Sequence, residues 1–170
     1  MDPELQVIGR NVLVDFVGPL SDITAVPAKV DTGADSSSLW ASSISVDKKG
    51  VLSFTLFGKS SKYYTGEVIT RKSYRAAIVR SSNGHEQIRY RIEMPVRVAG
   101  KRLRVGFYLS DRSRNDFPIL LGRRTLSKKF LVDVSVKEYT TAPKIKRGIY
   151  EEMIKDPYAF HKKYHQKNGK

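Results

Sequence analysis

The 170 residues include no cysteine. That excludes a disulfide framework, a thiolate nucleophile and any Cys-based zinc site, and it fits a reducing compartment. No apolar run approaches the ~20 residues a membrane helix needs. The amino terminus, MDPELQVIGR, also lacks the basic start and apolar stretch of a secretion signal. A soluble, cytoplasmic protein that does not enter a membrane is the expectation. Histidine is scarce, with three copies, His85, His161 and His165. The last two are spaced to share one helical face, but a metal site wants a third ligand and supporting groups, and no HExxH is present. No metal and no cofactor are expected. A Walker loop, a GxGxxG opening a helix and a GxSxG elbow are absent too, which leaves no support for nucleotide binding or serine hydrolysis.

Acidic residues are few, 17 against 31 Lys and Arg, for a formal charge of +14. A field of that sign concentrates anionic partners, whether acidic peptide, nucleic acid or ribosomal surface, and says nothing about fold.

The chain is long enough for one domain with a real core. It is dominated by short runs rich in Val, Ile, Tyr and Phe: 12–17, 25–31, 51–57, 63–70, 74–80, 88–94, 96–100, 103–109 and 130–136. Their spacing predicts an all-β sandwich or small barrel. Turn chemistry predicts two hairpins, one at SSNGHE (81–86) centred on Asn83-Gly84 and one at AGK (99–101). Along 88–93 the residues Arg89, Arg91 and Glu93 alternate with Ile88, Tyr90 and Ile92, giving a ribbon expected to reach over solvent with its apolar face pressed down. After Val136 the composition changes. Residues 1–136 read as the body and 137–170 as a basic tail, partly helical, with Asp156 as N-cap and Pro157 opening a second short helix.

One stretch invites a chemical reading. In KVDTGADSSS (29–38) a β-run ends in Asp31-Thr32-Gly33. Such a turn is ordinary structural chemistry, because Asp and Gly are default turn residues. It equally places a carboxylate where backbone amides can fix it, with a glycine that admits close backbone approach. A second stretch, PILLGRRTL (118–126), is an apolar run stopped by Gly122 and followed by a helix-like segment.

Taken in order, AKVDTGADSSSLWAS, RSSNGHEQIRYRI and FPILLGRRTLSKKFLVDVS resemble the retropepsin-like aspartic proteases over residues 8 to 136. More narrowly they resemble a bacterial family labelled "ATP-dependent zinc protease", whose relatives occur with ATP-grasp glutamate ligases. Trp40 stands where members of that family commonly carry His. The resemblance implies a closed retropepsin-like barrel with a flap hairpin and a short helix after Leu-Leu-Gly. It implies an aspartic-type endopeptidase with Asp31, Thr32 and Gly33 at the reaction centre. Ala34, Asp35, Ser82, Asn83, Gly84, His85, Arg89 and Arg91 would line the substrate, and Leu120, Leu121, Gly122 and Arg123 would brace the turn. The chemistry needs two carboxylates about 3 Å apart that share one proton. A single Asp-Thr-Gly then implies a homodimer with Asp31 paired on the two-fold axis. Completion within one chain by Asp35 or Asp133 is the other possibility, with no motif behind it. Association with glutamate ligases suggests acidic, oligoglutamate-like peptide substrates, which the arginines around the flap suit. Two further readings stay open: a basic β-barrel binding RNA or the ribosome without activity, and a dimeric peptide binder that never cleaves.

Overall fold

A computed structural model describes residues 5–80, 84–136 and 148–165. The chain divides into two units, Met1–Thr140 and Thr141–Lys170.

The first unit is the expected all-β body. Its strands are β1 (Gln6–Ile8), β2 (Asn11–Phe16), β3 (Val26–Val30), β4 (Ser37–Val46), β5 (Leu52–Leu56), β6 (Val68–Arg71), β7 (Arg75–Arg80), β8 (Glu86–Val98), β9 (Lys101–Ser110), β10 (Ile119–Leu121) and β11 (Phe130–Val132). Six of them close a barrel in the order β2-β3-β10-β4-β9-β8 and back to β2. Alternation fills its interior with Val12, Val14, Val26, Ala28, Leu39, Ile92, Met94, Val96, Val105, Phe107, Leu109, Ile119 and Leu121, all buried. A fully buried side chain of this size contributes about 1.5–3 kcal/mol. β5 and β6 extend β4 as an added hairpin, β7 pairs with β8 as a projecting ribbon, and β1 pairs in parallel with β11 as a separate two-stranded sheet.

The placement of β10 matters most for the site. β3 and β4 follow each other in sequence, yet β10 lies between them, parallel to β3 and antiparallel to β4. The segment 31–36 joining β3 to β4 must therefore cross the end of β10, which brings Asp31 beside Gly122.

Several elements differ from their sequence expectations. β4, in the Ser-rich run SSLWASSISV, is a ten-residue strand that no sequence pattern had indicated. The runs expected at 88–94 and 96–100 form one strand through Pro95, tolerated because pairing with β2 stops there and Val17 N–H donates to its carbonyl at 3.2 Å. The run expected at 63–70 is strand only from Val68. Tyr63 instead donates its hydroxyl to Ala25 O at 3.0 Å and packs on Phe57, and Gly66 at φ +77° turns the chain. The last run stops at Val132, where the Asp133 carboxylate takes the N–H and hydroxyl of Ser135 at 2.9 and 2.6 Å. The turn at 99–101 has Ala99 and Gly100 both at positive φ, 46° and 79°, the mirror-image geometry that matches strand twist.

The second unit holds α2 (Gly148–Lys155) and α3 (Pro157–His165), which follow α1 (Arg123–Leu126) of the body. Asp156 caps α3 by accepting from Ala159 N–H at 3.0 Å. Among the described residues no helix is long and apolar enough to cross a membrane.

Candidate active site

Asp31 stands at the end of β3, half-buried, and its own N–H donates to Leu121 O at 2.9 Å. Its side chain is fixed by the turn it starts. Oδ1 accepts from Gly33 N–H at 3.0 Å and Ala34 N–H at 3.2 Å. Both bonds fall on one oxygen, and Oδ2 accepts none among the described residues. The carboxylate is thus oriented by backbone through one of its two oxygens.

The turn is held from below by the segment after β10. Arg123 N–H donates to Ala34 O at 2.8 Å, Arg124 N–H to Asp35 O at 3.1 Å, and the Arg123 guanidinium to Gly33 O at 3.0 Å. Gly122 N–H donates to Ser37 Oγ at 3.0 Å, and that hydroxyl shares a 2.6 Å hydrogen bond with Thr125 Oγ1. Gly122 has an ordinary negative φ of −90°, so backbone freedom is not why glycine sits there. A Cβ at this position would lie 2.5 Å from Ser36 O and 2.9 Å from Ala34 O. The two backbones are in contact, and only a hydrogen fits between them.

The structure therefore brings together Asp31, Gly33, Ala34, Asp35, Leu121, Gly122 and Arg123, while Leu120 pairs with both Lys29 and Ser38. Thr32 is exposed at the tip of the turn. Asp35 is held by Arg124 at 2.9 Å and Arg123 at 3.6 Å, and Asp133 is committed to its turn with Ser135, which holds its carboxyl below the usual carboxylate range.

Of the flap residues, Ser82 and Asn83 lie outside the described residues. Gly84 adopts φ +80°, and both Gly84 and His85 are exposed. The ribbon follows the expectation next to the barrel, where Ile92 is buried and Tyr90 packs on the core, and departs from it further out. Ile78 and Ile88, directly opposite each other, are 70% and 65% exposed, whereas the Nε of Arg89 is buried with no hydrogen-bond partner among the described residues. Beyond Tyr90, which still packs on the core, the ribbon outruns the barrel, so its apolar face has no interior to fill.

Arg89 has company. Arg112, half-buried in the loop between β9 and β10, donates Nε to Phe117 O at 3.0 Å. Burial, and after it the positive charge of Arg89, pushes its guanidinium pKa down, while the negative charge of Asp31 opposes the shift. Arg112 therefore lies within electrostatic reach of both Arg89 and Asp31. In the sequence Arg112 is one of two arginines in DRSR (111–114), just before the Leu-Leu-Gly run, and Ser37 and Thr125 are unremarkable hydroxyls; what they touch depends on pairings across the chain. Trp40 lies on Gly58 and edge-on to Phe57, lining a cavity with Ser42, Lys59, Asp111 and Ser113. Among the described residues no cluster of His, Asp and Glu is arranged to hold a metal ion.

Comparison with known proteins agrees with this geometry. The profile of a family described as "RimB-like: Retropepsin-like aspartic endopeptidase RimB" matches residues 19–143. A protein from Shewanella pealeana named "Probable alpha-L-glutamate ligase" is 31% identical over 132 residues, covering 76% of this chain and 28% of that protein. A protein of the same name from Desulfotalea psychrophila is 27% identical over 135 residues, 78% of this chain and 29% of that protein. The chain thus spans under a third of the length of these relatives. A crystal structure of a Legionella pneumophila protein of unknown function superposes with a TM-score of 0.58 at 25% identity, covering 78% of this chain and 95% of that one.

Proposed function

This chain belongs to the RimB-like family of retropepsin-like aspartic endopeptidases, and from that premise we propose that it is a homodimeric peptidase with one Asp-Thr-Gly per subunit, cutting acidic peptides in a reducing compartment such as the cytoplasm. What supports this most is the Asp31 carboxylate, pinned through Oδ1 and open at Oδ2. Two copies of Asp31 across a two-fold axis share one proton. The ionised member takes a proton from water, whose oxygen attacks the scissile carbonyl carbon, while the protonated member donates to the carbonyl oxygen. Collapse of the tetrahedral species breaks the C–N bond as the amine nitrogen gains a proton. No covalent intermediate and no cofactor are required. Thr32, exposed at the turn, meets its counterpart across the axis, and the ribbon tip at 81–85 closes over the peptide and excludes water.

The β1–β11 sheet supports the dimeric reading. Val7 and Leu131 are neighbours in the β1–β11 sheet and each is 53% exposed, with Leu5 and Val134 exposed beside them. An apolar face on a two-stranded sheet with open edges is a docking surface for an identical sheet.

Arg89 and Arg112 support an acidic substrate, since a buried guanidinium nitrogen without a partner is satisfied by a carboxylate. The naming of the relatives as glutamate ligases points the same way, toward glutamyl peptides. Replacing either arginine by alanine is expected to raise KM for a glutamate-rich peptide about tenfold and to change that of a neutral peptide little, as losing one charge-assisted hydrogen bond would. Steady-state kinetics on the two peptides checks this, and equal losses on both would remove the acidic preference.

A further inference from the structure

On the outer face of the barrel, behind the Asp-Thr-Gly turn, a cavity of about 100 Å³ is lined by Arg91, Arg104, Arg124 and Lys129 together with the hydroxyls of Ser36 and Thr125. Four cations converge on a space of roughly three water volumes. Two of them are balanced: Arg104 pairs with Glu93 at 3.0 Å and Arg124 with Asp35 at 2.9 Å. The Arg91 side chain makes no hydrogen bond or ion pair among the described residues, and there Lys129 Nζ reaches only Ser127 O at 3.4 Å. Two positive charges are thus left without a carboxylate.

The position of Arg91 is built into the strand beside it. Gly106 lies in the middle of β9 with no positive φ to explain a glycine, and any Cβ there would collide with the Arg91 guanidinium. Glycine costs a strand stability and here clears a seat in which the guanidinium lies flat. Guanidinium, ammonium and hydroxyl donors gathered from the 31–36 turn, β8, β9, α1 and the turn before β11 outnumber what the two oxygens of one carboxylate accept.

We propose that this cavity is a binding site for a tetrahedral oxyanion of the phosphate class, distinct from the peptide cleft. A phosphate group of charge about −1.5 to −2 matches the two uncompensated cations and offers an oxygen to each donor direction. The site does not depend on the peptidase reading. It is nevertheless close to the turn, because Arg124 serves both the cavity and Asp35, and Ser36 is the residue against which Gly122 packs.

The test is a titration of the full chain with inorganic phosphate at ionic strength held constant with chloride, followed by the amide resonances of Ser36, Gly106 and Thr125. O-phosphoserine serves as a parallel monoester probe. Saturable shifts at those amides are expected, the tighter of the two probes telling a free ion from a phosphate carried on a larger ligand. Arg91→Ala should weaken binding about tenfold, the loss of a charge-assisted contact. Gly106→Ala, which keeps every charge but evicts the guanidinium, should weaken it comparably. Arg97→Ala, an exposed cation of the same strand outside the cavity, should leave it unchanged. Shifts that do not saturate, or that respond equally to Arg97→Ala and Gly106→Ala, would show screening by surface charge and overturn the site.

Discussion

Asp31→Asn is expected to lower peptide hydrolysis by about a thousandfold or more while leaving fold and oligomeric mass unchanged. The substitution is nearly isosteric. An asparagine carbonyl oxygen still accepts from Gly33 and Ala34 N–H, so the turn keeps both of the bonds that orient it. What changes is the atom at Oδ2, where an amide nitrogen replaces an oxygen able to take and give a proton. The loss therefore belongs to chemistry and not to stability. Comparing initial rates and circular dichroism of the two proteins separates the effects: lost activity with a preserved spectrum is predicted, and undiminished activity would remove Asp31 from the reaction.

Gly122→Ala is expected to act in the opposite way, through structure first. The added methyl meets Ser36 O at 2.5 Å and the Ser36 carbonyl carbon at 2.6 Å, which are backbone atoms with nowhere to retreat. Relief requires separating β10 from the turn, stretching the Gly122–Ser37 bond at 3.0 Å and the Arg123–Ala34 bond at 2.8 Å. An overpacking cost of about 3 kcal/mol is expected, along with a large fall in activity as Asp31 loses its support. Denaturant unfolding measures the first and peptide kinetics the second. A variant as stable and active as the parent would mean that the brace at Gly122 does not set the position of the turn.

The parts of this account visible in the sequence are those written locally. The Asp-Thr-Gly turn, the Leu-Leu-Gly run, the two-residue turn at Ala99-Gly100 and the Asp156-Pro157 cap each depend on residues adjacent in the chain. β4 escaped because its serines read as turn formers, although Leu39 and Ala41 alternate inward; burial of Ser37 is decided by Gly122 and Thr125, more than eighty positions away. The ribbon keeps its alternation and turns Tyr90 and Ile92 to the body as expected, but Ile78 and Ile88 are exposed, because period alone does not say how far a strand runs past its core. Arg112 gains meaning only when folding brings it within reach of both Arg89 and Asp31.

The central claim is that each reaction centre draws one Asp31 from each of two chains, and subunit mixing tests it most directly. Wild-type protein is combined with increasing proportions of Asp31→Asn at fixed total concentration, allowed to exchange subunits, and assayed on an acidic peptide. If every centre needs two carboxylates, mixed dimers are inactive and activity falls as the square of the wild-type fraction. Activity that falls in simple proportion to that fraction would mean that each chain works alone, and would contradict the shared centre.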